Sequence, residues 1–174
     1  MQASAAQRLT GKTVMGLLSL YFQPSGRIGR SKFWLGWIGL VLIEGVFNYW
    51  LVTGLFGRDP FDPVTKELSK PAYQLLLLCN IIFMFPLFVV LAKRFHDRNK
   101  GALWTLPYLA VFAAMIVVLM TGNIQPDVRP DAVPSSLAGL AAAYLAVLVW
   151  TIVELGFLRG TSGDNRYGRD PLAT

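Results

Sequence analysis

The sequence predicts an all-α, polytopic membrane protein: a bundle of four transmembrane helices with both termini cytoplasmic. Two observations carry this expectation. Four apolar stretches run over 32–56, 72–92, 102–121 and 136–158, each with the roughly 20 residues that cross a bilayer as a helix. The basic residues fall mostly on one side of these stretches. Five Lys and Arg stand at or before Lys32, four lie between the second and third stretches and three follow the fourth, which is twelve of the sixteen. Only three lie in the first loop and one in the third. Lys and Arg concentrate in cytoplasmic loops, so the twelve-residue side is read as the cytoplasm.

Composition narrows the function classes. The chain is 54% hydrophobic and 15% charged, where soluble proteins carry about 25% charged residues. The net charge of +6 is therefore no nucleic-acid signal. Most of it sits beside the anionic cytoplasmic leaflet, where each Lys or Arg contributes roughly 1 kcal/mol of attraction. The single Cys79 lies inside the second stretch, which excludes a disulfide within one chain, and the lone His96 makes no metal cluster. Residues 1–174 read as a single membrane domain. Within it, 1–31 form a cytoplasmic or interfacial segment, 32–158 the four spans and 159–174 a cytoplasmic tail.

Along the chain, Val14 to Phe22 is a short apolar run with no small-residue cleavage site after it. The N-terminus is thus expected to stay in the mature protein. Thr10 to Phe22 fits a short interfacial helix with Leu17, Leu18, Tyr21 and Phe22 facing lipid. The first span places Trp34 and Trp37 near one interface and Tyr49 and Trp50 near the other, the depths that amphipathic rings favour. The second contains Pro86, and the third has Pro107 a few residues in from its cytoplasmic end. The fourth carries Gly139 and Ala141 to Ala143, small residues that suit close packing. The loops Gly57 to Pro71 and Gly122 to Ser135 read as exposed external turns.

Four polar residues fall inside the spans: Glu44 and Asn48 in the first, Asn80 in the second, and Glu154 near the inner end of the fourth. Glu44 and Asn48 share a helix face at i, i+4. A carboxylate at a span centre costs about 2.5–3.5 kcal/mol on the lenient insertion scale, so Glu44 is expected to face the bundle. It serves there as a proton or ligand site or as a hydrogen-bonded packing contact. Glu154 lies within reach of Arg30, Arg94 or Arg159, which predicts a structural ion pair.

Three polar segments adjoin the cytoplasmic face: Phe22 to Trp34, Lys93 to Trp104 and Gly163 to Pro171. They bring Arg27, Arg30, Arg94, His96, Asp97, Asn165 and Tyr167 to one end of the bundle. These residues are the candidate ligand-binding set, because guanidinium groups grip phosphate or carboxylate in bidentate fashion. The competing readings for Arg27 and Arg30 are anchoring of the helix entry to lipid phosphates and internal pairing with Asp97, Asp164 or Asp170. His96 beside Asp97 has the composition of a general base and its orienting carboxylate. No nucleophile has recognisable spacing, and no catalytic residue is assigned. A phosphate loop, dinucleotide fingerprint, paired-Cys zinc motif and internal repeat are all missing from the sequence, so no metal and no cofactor is expected.

At these segments the chain resembles the bacterial inner-membrane proteins of domain-of-unknown-function family 805. The match consists of Phe22, Gly26, Arg27, Arg30, Phe33 and Trp34 before the first span, then Arg94, His96, Asp97 and Trp104 in the loop. Gly163, Asn165, Tyr167, Gly168, Asp170 and Pro171 complete it in the tail. Lys93 stands where that family usually has Arg, Arg98-Asn99 where an apolar-Gly pair is usual, and Ala102-Leu103 where Gly-Trp is common. The resemblance implies a small multi-helix protein of the bacterial inner membrane and supplies no activity.

Three function classes follow. The first is a binding or accessory protein whose cytoplasmic cluster holds an anionic lipid headgroup, a ligand or a partner. The second is a transporter or channel component using Glu44 and Asn48 within the bundle. The third is a membrane enzyme acting on a phosphorylated lipid. Expected partners are membrane lipids, anionic phospholipid among them, with a homo-oligomer or protein partner left open and nucleic acid excluded.

Overall fold

A computed structural model of the chain describes residues 16–55, 57, 70–121 and 135–173. Among these the regular structure is helical, apart from an isolated antiparallel bridge between Asn165 and Gly168. Residues 16–22 form α1. Then come α2 (Arg30–Trp50), α3 (Lys70–Asp97), α4 (Leu106–Thr121) and α5 (Ser135–Thr151). The helices α2 and α5 each end in a wide π-type turn, Leu51–Leu55 and Ile152–Phe157, and a 3-10 turn, Ala102–Thr105, leads into α4. Three helical stretches are long and apolar enough to cross a membrane: Arg30–Leu55, Gln74–Asp97 and Leu137–Phe157. Ala102–Val118 is a shorter apolar helix. The two expected external loops lie almost wholly outside the described residues.

The element boundaries have local causes. The helix α3 runs past the expected end at Ala92 to Asp97, because Arg94, His96 and Asp97 find partners inside the protein and need no water. It closes with a Schellman motif. Asn99 sits in the left-handed region at φ 57°, its N–H donates to the His96 carbonyl at 3.0 Å, and the Lys100 N–H donates to the Phe95 carbonyl at 2.9 Å. Asn is the second-best residue for that conformation after Gly. The helix α4 begins at Leu106, later than the expected 102, so Pro107 falls in its first turn. A missing N–H costs nothing there, since first-turn amides have no intrahelical acceptor.

The helix α2 packs along α3, and α4 along α5. The core lies at one end, where Ile28, Phe33, Leu40, Leu91, Phe95, Tyr108 and Leu155 cluster. Residues 89–97 of α3 are buried without a break, so this stretch is enclosed on all sides. Elsewhere the long helices present large apolar side chains outward, including Leu35, Ile38, Leu42 and Val46 on α2, Ile82 and Phe85 on α3, and Leu145 and Val149 on α5. A helix that is apolar all round and exposed faces lipid.

One expectation about α1 is corrected. Leu17, Leu18 and Phe22 do point outward, but Tyr21 turns in, and its hydroxyl donates to the Gly36 carbonyl at 3.1 Å. The Lys93 ammonium donates to the Ser19 carbonyl. These two contacts fasten α1 against α2 and α3.

Candidate functional site

The buried end of α3 projects Arg94 and Asp97 into a network that gathers the three polar segments. Asp97 lies between two guanidinium groups. Its Oδ1 accepts from Arg27 Nη2 at 3.0 Å and from Arg27 Nε at 3.2 Å, and its Oδ2 accepts from Arg94 Nη1. Both arginine side chains are almost fully enclosed, Arg27 being 1% exposed and Arg94 0%. A buried guanidinium is tolerated when it is paired and hydrogen-bonded, and every nitrogen of these two has an acceptor. Arg27 also donates through Nη1 to the Gly163 and Gly168 carbonyls at 2.8 and 3.2 Å, and through Nη2 to the Thr161 carbonyl at 2.7 Å and hydroxyl at 3.2 Å. Arg94 donates to the Leu155 and Leu158 carbonyls, each at 2.7 Å.

The same network caps the end of α5. The π-type turn and the residues after it leave carbonyls without helical N–H donors. Five consecutive ones, 155 to 159, receive side-chain donors: Arg94 on Leu155 and Leu158, Trp34 Nε1 on Gly156 at 3.2 Å, Arg30 on Phe157 at 3.3 Å and Arg98 on Arg159 at 2.8 Å. Cations suit a helix C-terminus, where the helix dipole leaves partial negative charge. The packing at two glycines is so close that a side chain would not fit. A Cβ on Gly156 would meet the Trp34 indole, and one on Gly160 would overlap the Asp97 carboxylate.

The tail then folds back over α3. Asn165 Nδ2 donates to the His96 carbonyl and to the Thr161 hydroxyl, each at 2.9 Å. Tyr167 stacks on the His96 ring at 3.9 Å between centroids and 6° between planes, with the Arg166 guanidinium 4.8 Å from the Tyr167 ring. His96 Nδ1 lies 3.1 Å from the Gly26 carbonyl. Asp170 accepts from the Gly163 and Leu172 amides at 2.8 and 2.9 Å. These backbone donors hold its carboxyl below the ordinary aspartate value.

The seven candidate residues thus meet in one place: Arg27, Arg94, His96, Asp97, Asn165 and Tyr167 in direct contact and Arg30 through the Phe157 carbonyl. Of the alternatives for pairing Arg27 and Arg30, Asp97 is realised for Arg27, with Arg94 on its other oxygen, whereas Arg30 donates to the Phe157 carbonyl. Asp164 instead accepts the Asp170 amide at 3.0 Å. The Asp97 carboxylate faces the two guanidinium groups and not the His96 ring, so the adjacent pair does not form a base with its orienting acid. Glu154 is ion-paired as expected, but its partners are corrected. Arg98 Nε contacts it at 2.8 Å, and Lys100 joins on the same oxygen. Arg30 and Arg94 are engaged elsewhere, whereas the α3–α4 loop passes directly over the π-type turn. Sequence reasoning missed Arg98, Lys100, Gly160 and Thr161. Only the two cations carried a signal, as charges flanking Asn99.

The polar residues within the spans separate into two features. Asn48 and Asn80 exchange reciprocal amide bonds at 2.9 and 3.1 Å, and each also donates to the carbonyl four residues earlier in its own helix. They lock α2 to α3. Asn48 thus bonds the Glu44 carbonyl, not its carboxylate. Glu44 instead opens, with Asn80, onto a cavity of about 270 Å³ that Trp37, Phe83, Tyr108 and Tyr144 also line.

Residues 21–169 match the family described as "Protein of unknown function (DUF805)". Similar curated proteins are the "Uncharacterized protein YiiR" of Escherichia coli K12 and of Escherichia coli O157:H7. Each is 32% identical over 151 residues, spanning 86% of this chain and 86% of its own length. No solved structure matches. The apolar helices and these relatives together suggest a bacterial membrane protein.

Proposed function

We propose that this chain, which belongs to the DUF805 family of proteins of unknown function, is a binding or accessory protein of the bacterial inner membrane. In this reading α2 to α5 make four crossings and both termini are cytoplasmic. The network around Asp97 is a clamp that joins the three cytoplasmic segments and displays a basic rim to anionic lipid headgroups. One observation supports this reading most. The two buried arginines have an acceptor at every nitrogen within the protein, while Arg30, Arg159, Arg166 and Arg169 on the same clamp are exposed. The inner residues position; the outer ones bind. The exposed apolar sides of the long helices suit lipid tails, and they leave room for a second copy or a protein partner.

Native mass spectrometry in mild detergent tests the proposal. Wild type should retain anionic phospholipid. Combined Arg30→Ala, Arg166→Ala and Arg169→Ala should lower that affinity by about a hundredfold, at roughly 1 kcal/mol for each cation, with the fold intact. Retention of the same lipids by the triple variant would reject the rim as a headgroup site. A transporter or channel component is the second reading, and the Glu44 cavity is what favours it. Loss of a transport phenotype in Glu44→Gln, with lipid retention unchanged in the rim variant, would put that reading first.

A further inference from the structure

We infer that the cavity beside Glu44 is a binding site for a compact organic monocation of the tertiary or quaternary ammonium class. The site lies between α2, α3, α4 and α5, apart from the clamp, and the inference does not rest on the lipid-rim reading. Its wall combines one carboxylate with several aromatic faces. Glu44 supplies the charge, and Trp37, Phe83, Tyr108 and Tyr144 supply ring surface around a volume of about 270 Å³. Three of the lining rings, Tyr108, Phe112 and Tyr144, are in mutual contact. Tyr108 and Tyr144 lie 5.9 Å apart between centroids with their hydroxyls 3.2 Å from each other, and Phe112 lies 6.2 Å from Tyr144.

The chemistry of this wall favours an organic cation. Among the described residues no hydrogen bond or ion pair holds the Glu44 carboxylate, and none of the lining residues is Lys, Arg or His. An anion would meet repulsion and no donor cation. A neutral apolar molecule would leave the carboxylate without a counter-charge in an apolar surrounding and force it to take up a proton. Calcium and magnesium take six or more oxygen ligands. The cavity offers one carboxylate and two phenols, since the Asn80 amide is already engaged by Asn48 and Leu76. A weakly hydrated ammonium ion surrounded by carbon satisfies all of these conditions. It neutralises the carboxylate and sits against the negative faces of the rings, as aromatic cages do for quaternary ammonium groups.

The test is isothermal titration of the full chain in mild detergent with benzyltrimethylammonium, alongside its neutral isostere neopentylbenzene. The inference predicts saturable binding of the cation. It predicts affinity at least about tenfold weaker for the neutral isostere and for the Glu44→Gln variant, which keeps the shape and removes the charge. Tyr144→Leu should weaken the cation more than the isostere, because it removes ring face and keeps apolar surface. Three results would each overturn the inference: no saturable binding by wild type, equal affinity for cation and isostere, or unchanged affinity in a folded Glu44→Gln. Should Glu44→Gln not fold, the isostere comparison on wild type decides alone.

Discussion

Asp97 is one carboxylate serving two buried guanidinium groups. Asp97→Asn removes the charge that both arginines share, and breaking a buried pair in this way costs about 3–5 kcal/mol. A thermal melt in detergent should show a large loss of stability. Gly160→Ala should fail at the same spot for a steric reason, since its Cβ occupies the space of that carboxylate. Asp170 makes a pH prediction. Its folded pKa is depressed below the ordinary 3.8 by backbone donors, so its contribution is complete above 3.8 and is lost as pH falls through the lower, folded value. Amide exchange across 163–172, corrected for intrinsic rates, should therefore stay protected from neutral pH down to 3.8 and open below it. Much of this residue-level chemistry was legible. The Arg, His, Asp and Asn types, and their convergence at one end, followed from motif and charge placement. The main-chain acceptors did not, because Arg27 and Arg94 also bind carbonyls of residues 155–168, and carbonyls leave no trace in a sequence.

The elements show where hydropathy and geometry disagree. The apolar count ended the second span at Ala92, yet α3 continues to Asp97, because polar side chains paired within a protein extend a helix as readily as apolar ones. The apolar pattern predicts one continuous helix over 136–158 for the fourth span. It becomes a π-type turn after Thr151, and the need to offer carbonyls to Arg94, Arg30 and Trp34 is a tertiary demand that periodicity cannot carry. The closing turn of α3 gives a sharp test. Asn99 at φ 57° occupies a region that costs an ordinary L-residue roughly 1–2 kcal/mol. Asn99→Ala should lower the melting temperature accordingly, and Asn99→Gly should match or slightly exceed wild type. The Asn48–Asn80 pair is a milder fastening. Interhelical hydrogen bonds in bilayers average about 0.6 kcal/mol, so Asn80→Leu should change stability little compared with Asp97→Asn.

At the scale of the whole molecule, an apolar middle is closed at one end by a polar clamp. The apolar middle was legible from stretch length and the distribution of Lys and Arg. The cavity beside Glu44 was not, since Trp37, Tyr108 and Tyr144 come from three helices and meet only after folding. The central claim is that the clamp is the cytoplasmic face of a four-crossing protein. Reporter fusions at defined positions test it most directly. Fusions after Thr174 and within Asp97 to Gly101 should read cytoplasmic, and fusions within Asp127 to Pro134 should read external. A C-terminal fusion that reads external would contradict the crossing number, and with it the placement of the basic rim against the inner leaflet.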